Sequence, residues 1–173
     1  TITAGGNTTS SYGWLIYDEN NRTKAINVEL KDIVMSTNSG GVNVAFASKA
    51  VINNLTSPAN YSKSGRNVFL AQVGGQITIN SGEFTVLRTT CYYATADGAN
   101  SVIYIKGGTW HEMQANTEKP VRNSNGGIVE ISGGKFGANP TNPKRDFNPT
   151  AWLAPGYKAT LVDAGQFYEV TKL

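Results

Sequence analysis

The chain has 173 residues, with 16% charged, 39% apolar, 19 glycines and a formal net charge of +3. Apolar residues recur throughout, which excludes a disordered chain, while Arg22, Lys49, Arg66, Arg88, Lys106, Lys135 and Lys158 are spread out and only Lys144-Arg145 cluster, so no nucleic-acid partner is expected. A single cysteine, Cys91, and a single histidine, His111, leave no internal disulfide and no Cys/His zinc site, and no apolar run approaches the ~18 residues of a membrane span, so neither a cofactor nor membrane insertion is expected.

In chain order, Thr1-Ile2-Thr3-Ala4-Gly5-Gly6 reads as strand and turn rather than as a signal peptide. The expectation is a mature product or fragment, with the remainder of a longer polypeptide preceding Thr1. Short strands follow at 14–17, 28–33, 42–46, 50–55 and 68–71, rich in Val, Ile, Leu and aromatics and separated by Gly, Asn and Ser turns. From residue 77 a repeat is plain. Ile77-Thr78-Ile79-Asn80-Ser81-Gly82-Glu83-Phe84, Ile103-Tyr104-Ile105-Lys106-Gly107-Gly108-Thr109-Trp110 and Val129-Glu130-Ile131-Ser132-Gly133-Gly134-Lys135-Phe136 align without gaps, 26 residues apart. Carried back through the weaker copies, the matching apolar positions are Ile2, Leu30, Ile52, Ile79, Ile105 and Ile131, spaced 28, 22, 27, 26 and 26. Further strands at 91–94 and 120–121 lie between the copies.

Strand side chains alternate faces, so Ile77, Ile79, Ile103, Ile105, Val129 and Ile131 point inward and Thr78, Tyr104 and Glu130 outward. The column Gly82, Gly108, Gly134 marks a corner, and Phe84, Trp110 and Phe136 after it read as a core aromatic stack. No unit contains the amphipathic helix of a βα repeat, and the period is too short for a propeller blade. The expectation is an all-β right-handed parallel β-helix, a single-stranded solenoid of about five to six coils in which stacking buries a face that one coil cannot bury alone. Residues 1–138 form the coils. Residues 139–173 break the repeat with Asn139-Pro140-Thr141-Asn142-Pro143 and read as a C-terminal capping segment of the same domain.

The endings Gly-Gly-Thr-Trp (107–110) and Gly-Gly-Lys-Phe (133–136), with the tail 148–157, resemble the "GGTF" repeats of pectate-lyase-like β-helix domains. The resemblance covers nearly the whole chain and implies a bacterial surface or secreted protein, or a phage tail fibre or tailspike. One such fold hosts lyases, hydrolases, adhesins and passive stalks, so it says little of activity. The residues themselves show no acid pair at matched positions of adjacent copies, as a glycosidase requires: Glu83 aligns with Thr109 and Lys135, and Glu130 with Tyr104. His111 lacks a visible nucleophile or orienting partner and reads as a surface histidine, and Cys91 as a packing thiol. No residue is assigned a catalytic role. For ligand binding, Tyr104, Lys106, Arg88 and Arg122 are the candidates on an outward face, since aromatic rings beside donors suit sugars. The functional expectation is a non-catalytic structural or adhesive module, extracellular, at a cell surface or on a virion. Its expected partners are a cell-surface glycan or host receptor, and copies of itself in a trimer or filament. The alternatives are a polysaccharide-degrading domain and a self-assembling filament subunit.

Overall fold

A computed structural model of the chain describes residues 14–16, 21–34, 41–56, 67–84, 92–98, 100–111, 121–139 and 147–173. Its strands in chain order are β1 (Trp14–Ile16), β2 (Asn27–Val34), β3 (Val42–Val44), β4 (Lys49–Thr56), β5 (Asn67–Gln72), β6 (Gln76–Ile79), β7 (Gly82–Phe84), β8 (Tyr92–Asp97), β9 (Val102–Ile105), β10 (Thr109–Trp110), β11 (Val121–Ser124), β12 (Ile128–Ile131), β13 (Gly134–Gly137), β14 (Tyr157–Val162) and β15 (Phe167–Lys172). Short 3-10 turns at Pro149–Trp152 and Asp163–Gly165 flank β14.

The strands form two sheets. One is five-stranded and parallel, in the order β1-β3-β5-β8-β11. The other is ten-stranded and mixed, β12-β9-β6-β4-β7-β10-β13-β15-β14, with β2 also on β4. This corrects the right-handed parallel β-helix expected from the repeat: the chain is all-β, but its large sheet combines parallel and antiparallel pairs, and the described residues do not close into a solenoid. Two features account for the difference. Strand β4 is eight residues long and pairs with β2, β6 and β7, so it joins two parallel ladders into one sheet. Strand β15 runs antiparallel to both β13 and β14, because the three-residue turn Asp163–Gly165 sends the chain straight back on itself.

Within the ladders, the aligned positions meet. Leu30, Ile52, Ile79, Ile105 and Ile131 pair in succession, as do Ile77, Ile103 and Val129. All but Leu30 and Val129 are at most 1% exposed. Phe84, Trp110 and Phe136 stack at centroid distances of 4.1 and 6.0 Å, and Phe69 of the small sheet meets the first two edge-on. This aromatic column is fully buried, so it is packing rather than a binding platform. The glycine corner has a steric cause: Gly108 and Gly134 sit at φ +98° and +107°, where a side chain is strained.

Passage from the small sheet to the large one uses tight turns closed by Ser48 N–H to Ala45 O (3.2 Å), Gly75 N–H to Gln72 O (3.0 Å) and Gly127 N–H to Ser124 O (2.9 Å). Their central residues are left-handed at Phe46 and Ala47, Val73 and Gly74, and Asn125 and Gly126. At the chain's end, Ala154 N–H donates to Ile131 O (2.8 Å) and β15 pairs with β13, so residues 153–173 cover the last strands of both ladders.

Candidate functional site

The outer face of the ladder β2-β4-β6-β9-β12 carries two columns set by register: Asn27, Lys49, Gln76, Val102, Ile128, and Glu29, Val51, Thr78, Tyr104, Glu130. All but the buried Val102 are half-buried or exposed, because the alternating neighbours Ala50, Ile52, Ile77, Ile79, Ile103 and Ile105 face the core. Tyr104 is half-buried and Lys106, just beyond β9, is exposed, so these two candidates share one face. Arg122 belongs to β11 in the other sheet, where its backbone pairs with Thr95, and so it does not share a ladder with Tyr104. Arg88 lies outside the described residues, as does Cys91.

Sequence reasoning missed a groove at the β2 end of the same ladder. It has a volume of about 550 Å³ and is lined by Asn27, Val28, Glu29, Lys49 and Val51. That volume falls within the range of small-ligand sites. One carboxylate, one ammonium and one amide stand there over two valines. Glu29 is held by Asn53, whose Nδ2 donates to Oε1 at 2.7 Å, and Asn80 Nδ2 donates to Asn53 Oδ1 at 2.8 Å. A parallel step joins Asn54 Nδ2 to Asp32 Oδ1 at 2.8 Å. The amides of Asn53 and Asn80 stack at the ladder spacing of ~4.8 Å, which marks the ladder in the sequence but not the groove beside it.

A second polar group lies on the outer face of β7-β10-β13-β15. In register it runs Glu83, Thr109, Lys135, Glu169. His111, just past β10, reaches diagonally to Glu83 and bonds it through Nε2. Its ring meets Phe167 edge-on at 5.8 Å. The residue between them in register is Gly137, where a Cβ would stand 2.2 Å from the His111 carbonyl oxygen. Lys135 Nζ donates to Asp163 Oδ2 at 3.1 Å. That hydrogen bond and the charge of Asp163 hold the Lys135 amine above the ordinary lysine value, with Glu169 adding to the effect. Sequence alignment gave Glu83 its direct neighbours but not His111, because the diagonal contact spans two positions beyond the register. Glu83 and His111 are 55% and 39% exposed, so the pair is a solvated surface contact. Among the described residues no cluster of three or more His, Cys, Asp or Glu side chains could hold a metal, and no helix is long and apolar enough to cross a membrane.

Comparison with protein-family models, curated proteins and solved structures returns no match to this chain. The likeness to pectate-lyase-like repeats therefore rests on the Gly-Gly-aromatic endings and the tail 148–157 alone.

Proposed function

We propose that the chain is a non-catalytic structural and adhesive module of an extracellular protein, carried on a bacterial surface or a phage tail, that meets a cell-surface glycan through the outer face of the β2-β4-β6-β9-β12 ladder. The observation that carries this reading is Tyr104 beside Lys106 on an outward face whose inward side chains, Ile103 and Ile105, are fully packed. A ring with a donor beside it suits a sugar's apolar face and hydroxyls. The packed column beneath fixes the backbone that carries both groups, so binding has only their side chains to order.

The test is a glycan array followed by titration of the best-bound polysaccharide. The double variant Tyr104→Ala, Lys106→Ala should weaken binding at least about tenfold, roughly 1.4 kcal/mol, with the thermal melt unchanged. Release of reducing ends or unsaturated products from capsular or pectic polysaccharides would remove the non-catalytic reading. Silence across the whole array would remove the adhesive one.

A further inference from the structure

The large sheet ends at β14, and the two long strands that pair on one side alone among the described residues, β2 and β14, differ in how their open edges are guarded. Strand β2 carries Glu29, Lys31 and Asp32, and Asp32 is left-handed at φ +52°, which interrupts its pairing with β4. Charges and a local kink of this kind discourage pairing with another strand. Strand β14, Tyr-Lys-Ala-Thr-Leu-Val, has one charge, Lys158, and neither proline nor a left-handed residue.

Leu173 N–H donates to Gly156 O at 2.8 Å, which makes Gly156 and Leu173 a bonded pair across the hairpin. Bonded pairs alternate along an antiparallel ladder. Lys158, Thr160 and Val162 therefore bond to β15, while Ala159 and Leu161 present their N–H and C=O groups to the open side. Leu161 is also 46% exposed although the β15 side of the strand is paired.

We propose that β14 is a self-pairing edge: two copies of the chain join β14 to β14 antiparallel about a two-fold axis perpendicular to the sheet. Such an axis keeps each face on its own side, so only residues of like parity can meet. With Thr160 opposite Thr160 of the second copy, Ala159 and Leu161 form two reciprocal bonded pairs with Leu161 and Ala159 of the other chain. Each Leu161 gains apolar cover, the two threonine hydroxyls face each other, and Lys158 lies opposite Val162, so no like charges meet. An isologous edge of this kind closes on itself and yields a dimer rather than a fibre. The contact is small, so the dimer belongs to the transient class, with a dissociation constant on the order of 0.1 mM.

Sedimentation equilibrium of the whole chain from micromolar to millimolar concentration tests it. A monomer–dimer equilibrium is expected. Leu161→Pro removes an outward N–H without touching a bond to β15 and should weaken association at least about tenfold. Leu161→Lys, which keeps the backbone donor and places a charge on the edge, should do the same if the proline variant fails to fold. In a Cys91→Ser background, Thr160→Cys should form an intermolecular disulfide on mild oxidation and Lys158→Cys should not. A chain that stays monomeric at millimolar concentration, a dimer indifferent to both Leu161 variants, or equal crosslinking from positions 158 and 160 each overturns the proposal.

Discussion

The stacked repeats and the terminal hairpin hold their strands by different means. In the repeats, the described strands lie parallel on one another with their apolar positions in register, and the inward positions Ile52, Ile79, Ile105 and Ile131, with Phe84, Trp110 and Phe136, are at most 1% exposed. In the hairpin, β14 and β15 pair antiparallel, and Val170 alone of their side chains is buried. The backbone ladder between β15 and β13 ties it to the repeats, Tyr157, Ala159 and Tyr168 pack partly buried against the core, and Lys135 to Asp163 and His111 to Phe167 add exposed contacts. Burial scales with apolar area, whereas exposed ion pairs contribute little. The difference places most of the apolar burial in the repeats and leaves the hairpin as the more exposed closure of their last strands.

Breaking the repeat side should have the largest effect. Trp110 sits between Phe84 and Phe136 and also meets Phe69, so it links the aromatic column to the small sheet. Trp110→Ala should cost ~3–5 kcal/mol in urea unfolding, because neighbours fixed in register cannot collapse into the space. A loss below about 1 kcal/mol would mean that the column is not the core.

Within the repeats, a smaller contrast concerns the tight turns. Asn125-Gly126 is the residue pair such left-handed turns favour, but the equivalent turns hold Phe46-Ala47 and Val73-Gly74. A β-branched residue at φ +49°, as at Val73, is strained, and the side chain is 54% exposed, so it gains little packing in return. Val73→Asn should raise the thermal midpoint, corresponding to about 1 kcal/mol of stability. An unchanged or lowered midpoint would show that Val73 is held by contacts outside its turn.

These turns also show what was legible in the sequence. The 26-residue period gave the strand register, since identical apolar spacing pairs Ile77 with Ile103 and Ile103 with Val129. It did not give the sheet architecture, because alternation reports which face a residue lies on and not how many neighbours its strand has. The length of β4, which pairs along one half with β6 and along the other with β7, was hidden by the left-handed Asn54 in its middle. Of the candidate site, Tyr104 and Lys106 were readable from alternation. The groove at Asn27, Glu29 and Lys49 was not, since its residues belong to the two least regular copies.

The smallest expected effect sharpens the hairpin side. Asp163 accepts a hydrogen bond from Lys135 and holds its amine above the ordinary lysine value of 10.5. A lysine raised on folding stabilises the folded state while it is charged in both states, and that contribution is lost as pH climbs through the folded value. Wild type should therefore exceed Asp163→Asn in urea midpoint at neutral pH, and the gap should narrow as pH rises past about 10.5. Added salt should narrow it too, because both side chains are solvated and the pair is screened. The same substitution leaves the buried columns untouched, so the change should be confined to exchange-protection of β14 and β15 amides and be absent from β6, β9 and β12. A gap that persists unchanged at alkaline pH, or loss of protection across the ladders, would show that the hairpin and the repeats unfold as one unit.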